Sequence, residues 1–122
     1  MHTRINWFEI PVTDMARATR FYETLFTTKL KEENMGSGTL AIFCDPKGEG
    51  VGCLMKGDNM EPTSAGTINY LDAGASLQIV LDRVAAAGGK IVLDKFTLPR
   101  DLGVIAHVLD TEGNRIGLHA TN

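Results

Sequence analysis

Apolar and polar residues alternate along residues 5–12, which predicts a β-strand near the start of the chain. Over residues 14–26 the period changes, and apolar side chains recur at i, i+3, i+4 and i+7, as on the buried face of a helix. The strand pattern returns over residues 28–33 and in a hairpin over residues 38–55. The first half of the chain is therefore predicted to form a strand, a helix and three further strands.

The second half of the chain repeats this order of patterns. Residues 66–72 are predicted as a strand, and residues 76–87 as a helix that is ended by two glycines. Residues 90–98 are the next predicted strand, and residues 103–120 form a second hairpin. Each half is thus predicted to be a βαβββ module.

The two hairpins are copies of one motif. Residues 38–54 (GTLAIFCDPKGEGVGCL) align without a gap with residues 103–119 (GVIAHVLDTEGNRIGLH). The copies share five identities: Gly38/Gly103, Ala41/Ala106, Asp45/Asp110, Gly48/Gly113 and Gly52/Gly117. A repeat of this kind indicates two copies of one supersecondary unit. Two similar half-sheets facing each other are expected to enclose a ligand site.

Composition and length predict one globular domain. The chain has 122 residues, of which 43% are hydrophobic and 22% charged. We predict a single α+β domain over residues 1–122, made of one module at 1–57 and a second at 65–122. A polar linker at residues 58–64 joins the two modules.

Charge and hydropathy exclude two classes of partner. The net charge is −3 and no basic patch is present, so no nucleic-acid partner is expected. The first residues lack the apolar core of a signal peptide, and no apolar run approaches the ~20 residues of a membrane span. We therefore expect a cytoplasmic protein with no membrane partner.

Two cysteines, Cys44 and Cys53, lie on the two arms of the first hairpin. If the turn is centred on Gly48 and Glu49, the two thiols lie opposite each other, where a cross-strand disulfide is sterically conceivable. In a reducing cytoplasm two buried thiols are the favoured expectation.

Two motifs resemble a known family. They are V-x-D-x-x-x-A-x-x-F-Y, beginning at Val12, and D-x-E-G-N-x-I, which spans Asp110 to Ile116. With the two βαβββ modules they resemble the vicinal oxygen chelate superfamily, which includes glyoxalase I, bleomycin-resistance proteins, fosfomycin-resistance enzymes and extradiol dioxygenases. The resemblance implies a cupped mixed sheet with helices on its outer face. It also implies a homodimer, since relatives of this size often dimerise.

Metal-dependent members of that superfamily carry one metal ligand on each of four equivalent strands. Carried onto this sequence, the four positions are Trp7, Gly52, Ile68 and Gly117. None of these side chains offers an oxygen, nitrogen or thiolate donor suited to a divalent cation. The expectation is therefore that the protein uses no metal and no cofactor.

Strand alternation was used to choose the residues that face the cup. Glu9 and His119 are the candidate catalytic residues, as a carboxylate and an imidazole able to transfer a proton. The candidate ligand-binding residues are Trp7, Phe43, Leu54, Ile68, Tyr70 and Val108. Core packing for Trp7 and Tyr70, an ion pair near the strand rim for Glu9 and solvent exposure for His119 are the structural alternatives. His107 is predicted to lie on the helix side as a hydrogen-bonded core residue.

The favoured function is the binding of a small apolar or aromatic molecule in the concave cavity without metal, with proton transfer by Glu9 and His119 as a further option. Whether a reaction occurs is open. One alternative is a metal-dependent lyase or dioxygenase of the same superfamily. The other is a structural or regulatory dimer with a filled cavity.

Overall fold

Two four-stranded sheets, one from each half of the chain, form the framework of the protein. A computed structural model describes residues 2–36 and 38–122. The first half contains β1 (Phe8–Pro11), α1 (Met15–Phe26), β2 (Lys31–Asn34), β3 (Thr39–Cys44) and β4 (Gly50–Met55). The second half contains β5 (Tyr70–Asp72), α2 (Leu77–Leu81), α3 (Val84–Ala87), β6 (Lys90–Thr97), β7 (Val104–Leu109) and β8 (Arg115–Ala120).

The strand order is the same in both sheets. It is β1-β4-β3-β2 in the first and β5-β8-β7-β6 in the second. In each sheet the first strand pairs in parallel with the last, and the remaining pairs are antiparallel. The predicted α+β class and the βαβββ order of each module are therefore confirmed.

The first helix begins and ends where the sequence pattern predicts. The Asp14 carboxylate accepts a hydrogen bond from the backbone N–H of Arg17 at 3.0 Å and so caps the helix. Thr27 ends the helix in the left-handed conformation, with φ of 51°, which costs a residue with a Cβ about 1 kcal/mol.

The prediction of one continuous helix over residues 76–87 is wrong. The segment forms two short helices, α2 and α3, separated by Asp82 and Arg83. The Arg83 N–H bonds to the carbonyl of Val80, three residues back, so the turn tightens and the α-helical ladder breaks. The side chain of Arg83 reaches the other module, where its guanidinium donates to the carbonyl of Leu25 at 3.1 Å.

The faces of the hairpins differ from the sequence prediction. Leu54 and Val108 are fully buried in the core that the sheets share with the helices, and Phe43 packs edge-on against Tyr22 of α1. The prediction that these three side chains line an open cup is wrong for Leu54 and Val108. Phe43 lines a cavity, but from the helix side of its sheet.

Strand register explains the reversal. In the second sheet Gly117 lies opposite His107, so Val108 points away from the Gly117 face. In the first sheet Phe43 lies opposite Gly52 and Cys44 opposite Gly50, which leaves Val51 as a bulge. A one-residue shift moves every later side chain of a strand to the other face.

The same bulge separates the two cysteines. Cys53 lies opposite Ile42 and Cys44 opposite Gly50, so the predicted cross-strand opposition of the thiols is wrong. Cys53 is buried, whereas Cys44 is exposed. Burial, and then the nearby Glu9 carboxylate, raise the pKa of the Cys53 thiol to about 11.

We expect one fast-reacting thiol in the native protein, because Cys44 is exposed, whereas Cys53 is buried and its pKa is raised. Ellman's reagent at pH 8 should titrate one thiol rapidly and the second only after denaturant is added. The variant Cys44→Ser should lose the fast phase. Two equally fast thiols in the native wild type would contradict this assignment.

Candidate functional site

The turn of the second hairpin joins the two modules. The Glu112 carboxylate accepts hydrogen bonds from the backbone N–H groups of Thr13 and Asp14 and from the Thr13 hydroxyl, at 2.8–2.9 Å. It also pairs with the guanidinium of Arg17 at 2.7 Å, although the Glu112 side chain is fully covered. The start of α1 is thus held by a residue of the other module.

Buried polar groups of the same turn extend this junction. The hydroxyl of Tyr22 donates to Asp110 Oδ2 at 2.6 Å, and burial together with the Asp110 carboxylate raises the pKa of Tyr22 well above its ordinary value. The amide of Asn114 donates to the carbonyl of Pro11 at 2.7 Å. The D-x-E-G-N motif therefore docks the second module onto the first.

A cavity of about 680 Å³ lies between the modules at the other hairpin. Its apolar wall includes the rings of Phe8 and Phe43, whose centroids are 5.5 Å apart, and Phe26 at the end of α1. Asp72 and Arg83 supply charged groups from the second module. The cavity is thus largely apolar with a few polar groups, as small-molecule sites are.

A smaller cavity of about 310 Å³ lies where β1 meets β8 and the segment before β5. Glu9 and Arg115 both line it, and Asn69 and Asn114 contribute to its wall. The nearest described partner of the Glu9 carboxylate is the Cys53 thiol, with Sγ 3.8 Å from Oε2. The cavity therefore brings a carboxylate and a guanidinium from different modules to one space.

His119 lies apart from Glu9. Its Nε2 is 2.6 Å from the carbonyl oxygen of Leu102, and it does not line the cavity that contains Glu9. Along β8, His119 is four residues beyond Arg115, which corresponds to about 13 Å. No hydrogen bond among the described residues joins the two predicted catalytic side chains.

A chain of three side chains occupies the open face of the second sheet, the face opposite the helices. Tyr70 of β5 has its hydroxyl 2.7 Å from His107 Nε2, and Arg115 of β8 donates from Nε to His107 Nδ1 at 3.0 Å. Burial, and then the Arg115 charge, lower the pKa of His107. We refer to Tyr70, His107 and Arg115 as the open-face triad.

The sequence prediction placed His107 on the helix side, and this is wrong. Pairing outward from the second turn, with Leu109 opposite Arg115, would have put His107 opposite Gly117 and on the same face as Tyr70. The repeated hairpin therefore contained the information that places His107 on the open face. Extracting it requires the pairing of the two strands, because alternation along one strand does not give it.

The other two predicted ligand residues precede the first strand of each module. Trp7 is 40% exposed and lies beside Gly50, so its ring is neither free in solvent nor part of the core. Ile68 is half-buried just before β5. Neither residue lines the two cavities described above.

Comparisons with known proteins agree with this architecture. Residues 4–118 match the model of the glyoxalase/bleomycin resistance protein/dioxygenase superfamily. The chain belongs to this superfamily.

Relatives of known structure share the fold at low identity. A glyoxalase I mutant from Zea mays superimposes with a TM-score of 0.71 at 22% identity, covering 94% of this chain and 46% of the other. The fosfomycin resistance protein FosX from Listeria monocytogenes gives a TM-score of 0.71 at 17% identity, covering 98% and 92%. CFP32 of Mycobacterium bovis is 26% identical over 119 residues, which are 96% of this chain and 45% of CFP32. The chain thus spans about half the length of the curated relatives it matches.

Aromatic rings cover Gly52 and Gly117, two of the four positions to which the resemblance assigned metal ligands. A Cβ at Gly117 would lie 2.5–2.8 Å from ring carbons of Tyr70, and a Cβ at Gly52 would overlap the ring of Phe8. Gly52 also lies on the helix side of its sheet, where Phe43 is its cross-strand neighbour. The residues at these positions therefore do not fit a divalent cation.

Within residues 2–36 and 38–122, no group of three or more His, Cys, Asp and Glu side chains is placed to hold a metal ion. No helix in the same ranges has both the length and the apolar composition needed to cross a membrane.

Proposed function

We propose that this member of the glyoxalase/bleomycin resistance/dioxygenase superfamily binds a small apolar or aromatic molecule, without metal, in the 680 Å³ cavity between its modules. The observation that carries the proposal is the cavity itself, whose volume falls in the range of about 300–1,000 Å³ of small-molecule sites. Three phenylalanines and Leu71 in its wall favour a ligand with a large apolar surface.

The internal repeat explains why a space exists there. In the second hairpin, Glu112 fills the junction with α1 through its hydrogen bonds. Lys47 stands at the equivalent position of the first hairpin, and no hydrogen bond or ion pair among the described residues joins its side chain to α2. The turn residues Asp45 and Pro46 border the cavity instead of closing it.

Charged side chains at the cavity already form hydrogen bonds within the protein. Asp45 Oδ1 accepts from the backbone N–H groups of Lys47 and Glu49, and Asp72 Oδ1 accepts from that of Gly74. Arg83 donates to Leu25. These bonds fix the loops around the cavity, so the apolar wall is the larger source of binding energy.

Filling the cavity is expected to weaken this binding. Val51 lines the cavity, is 39% exposed and is left unpaired by the bulge, so Val51→Trp adds volume there with little disturbance of the sheet. Naphthalene affinity, followed by amide chemical shifts, should fall about tenfold or more, equivalent to ~1.4 kcal/mol. The matched control Leu102→Trp, at a 52% exposed site outside both cavities, should bind as the wild type does.

The outcome that contradicts the proposal is equal naphthalene affinity in Val51→Trp and Leu102→Trp. Chemical shift changes confined to residues away from the cavity would contradict it too. A divalent ion retained in stoichiometric amount by the purified protein would overturn the metal-free part of the proposal.

The homodimer and the proton-transfer role of Glu9 and His119 stay predictions. In favour of a dimer, β1 and β5 each lie at an edge of their sheet, where backbone groups are available to a second copy. Proton transfer would require Glu9 and His119 to meet through a ligand or a second chain, because no described hydrogen bond joins them in one chain.

A further inference from the structure

The hydrogen bonds of the open-face triad fix the tautomer of His107. The guanidinium of Arg115 has only hydrogen-bond donors, and its Nε–H donates to His107 Nδ1 at 3.0 Å. Nδ1 must therefore present a lone pair. A neutral imidazole has a single N–H group, so that proton lies on Nε2.

The tautomer in turn fixes the role of the Tyr70 hydroxyl. Because Nε2 carries the proton, it donates to the Tyr70 oxygen across the 2.7 Å contact. The oxygen is the acceptor of this bond, and its own hydrogen must point elsewhere. Among the described residues, His107 is the only hydrogen-bond partner of this hydroxyl, and Tyr70 is 46% exposed.

Packing holds the ring of Tyr70 in place. The ring lies flat on Gly117, its cross-strand neighbour in the parallel pair of β5 and β8, and a Cβ at Gly117 would lie only 2.5 Å from it. Its centroid is 5.4 Å from that of the His107 ring. The position of the hydroxyl oxygen is therefore fixed by the packing of the ring on Gly117 and by the hydrogen bond from His107. The hydroxyl hydrogen is left to donate to a ligand.

We propose that the Tyr70 hydroxyl is a pre-oriented hydrogen-bond donor for an oxygen that has no hydrogen of its own, a carbonyl or carboxylate oxygen of a small molecule on the open face of the second sheet. His107 and Arg115 are the positioning residues. The positive charge of Arg115 behind the chain polarises it toward an electron-rich oxygen. Tyr70 is also a lining residue of the 680 Å³ cavity. The inference goes beyond the function proposed above, because it assigns a hydrogen-bond donor that an apolar ligand of that cavity does not require.

The tautomer gives a test that needs no ligand. Nitrogen-15 chemical shifts of His107 at pH 7 should report a protonated Nε2 and an unprotonated Nδ1. In Arg115→Leu the imidazole is free to move its proton to Nδ1, and Nε2 then accepts from Tyr70. A wild-type His107 that is protonated on Nδ1, alone or as an imidazolium, would overturn the proposal.

Binding is tested with acetophenone as the carbonyl probe, benzoate as the carboxylate probe and ethylbenzene as the matched molecule without an acceptor oxygen. In Tyr70→Phe, the affinity for whichever oxygen-bearing probe binds the wild type should fall about tenfold, and the affinity for ethylbenzene should be unchanged. Arg115→Leu should weaken acetophenone to a similar extent, since the Tyr70 hydrogen is then taken by His107. Which of the two oxygen-bearing probes binds more tightly distinguishes a carbonyl from a carboxylate ligand.

Two results would overturn the inference. One is unchanged acetophenone and benzoate affinity in Tyr70→Phe. The other is the absence of any shift at Tyr70 and His107 with either probe at millimolar concentration. Naphthalene has no acceptor oxygen, and Arg115 does not line the 680 Å³ cavity. Naphthalene binding should therefore be the same in Arg115→Leu and wild type, so failure of one proposal is distinguishable from failure of the other.

Discussion

Glu112→Gln is expected to lower the free energy of unfolding by about 2–3 kcal/mol. The carboxylate is fully covered, pairs with Arg17 and accepts three further hydrogen bonds at the start of α1. An amide cannot balance the Arg17 charge, and one end of it would present a donor to N–H groups. Urea denaturation of both proteins measures the difference.

The Glu112 carboxylate should also make the free energy of unfolding depend on pH in the acidic range. Burial by itself would raise the pKa of Glu112, but the hydrogen bonds from Arg17, Asp14 and Thr13 outweigh it and hold the pKa at about 2 instead of the ordinary 4.5. The contribution is complete above pH 4.5 and is lost as the pH falls toward 2, because the unfolded chain then binds the proton more readily. At about 1.4 kcal/mol per pH unit between the two values, the loss is roughly 3 kcal/mol.

Glu33→Gln is the matched control. Its carboxylate is half-exposed and pairs with Lys31 at 3.7 Å, so the change should cost less than about 0.5 kcal/mol. In Glu112→Gln the difference from wild type should shrink as the pH is lowered from 5 to 2. A difference that stays constant over that interval would show that Glu112 is not the group whose titration is described here.

Alanine at the two repeated glycines is expected to give two different outcomes. Gly52→Ala should lower the free energy of unfolding by about 2–3 kcal/mol, because its methyl group would overlap the Phe8 ring. That ring packs against Phe43 and the core, so displacing it toward the neighbouring cavity would give up this packing.

Gly117→Ala should cost about 1 kcal/mol, because the half-exposed Tyr70 can swing toward solvent. The substitution should instead break the hydrogen bond between Tyr70 and His107, and the His107 nitrogen-15 spectrum reports that loss. Thermal or urea unfolding compares the stabilities of the two variants. Equal destabilisation by both would contradict the different surroundings that the structure gives these glycines.

The repeat alone predicted much of the fold. Strand and helix periods located β1, α1 and both hairpins, and the D-x-E-G-N motif marked the turn that docks on α1. These features are local: they depend on side-chain spacing within about ten residues and on turn chemistry that few residue types provide. The prediction of one helix over residues 76–87 was wrong. The break lies at Arg83, whose side chain makes a tertiary contact with Leu25 that local periodicity does not contain.

The candidate site was predictable only in part. Tyr70 was selected from the sequence, and the structure places it on the open face beside His107. His107 was assigned to the wrong face, and Leu54 and Val108 are buried in the core. In each case the error came from hairpin register, which alternation along one strand does not contain.

By itself, then, the sequence determined two βαβββ modules, the tight turns and the absence of donor side chains at Trp7, Gly52, Ile68 and Gly117. Only the tertiary structure decided which face each strand presents, that one hairpin closes against α1 while the other leaves a cavity, and that His107 joins Tyr70 to Arg115. Local patterns determine helices, strands and turns because these depend on interactions between residues that are close in the sequence. Register, docking and tautomer depend on partners that the fold brings from distant parts of the chain.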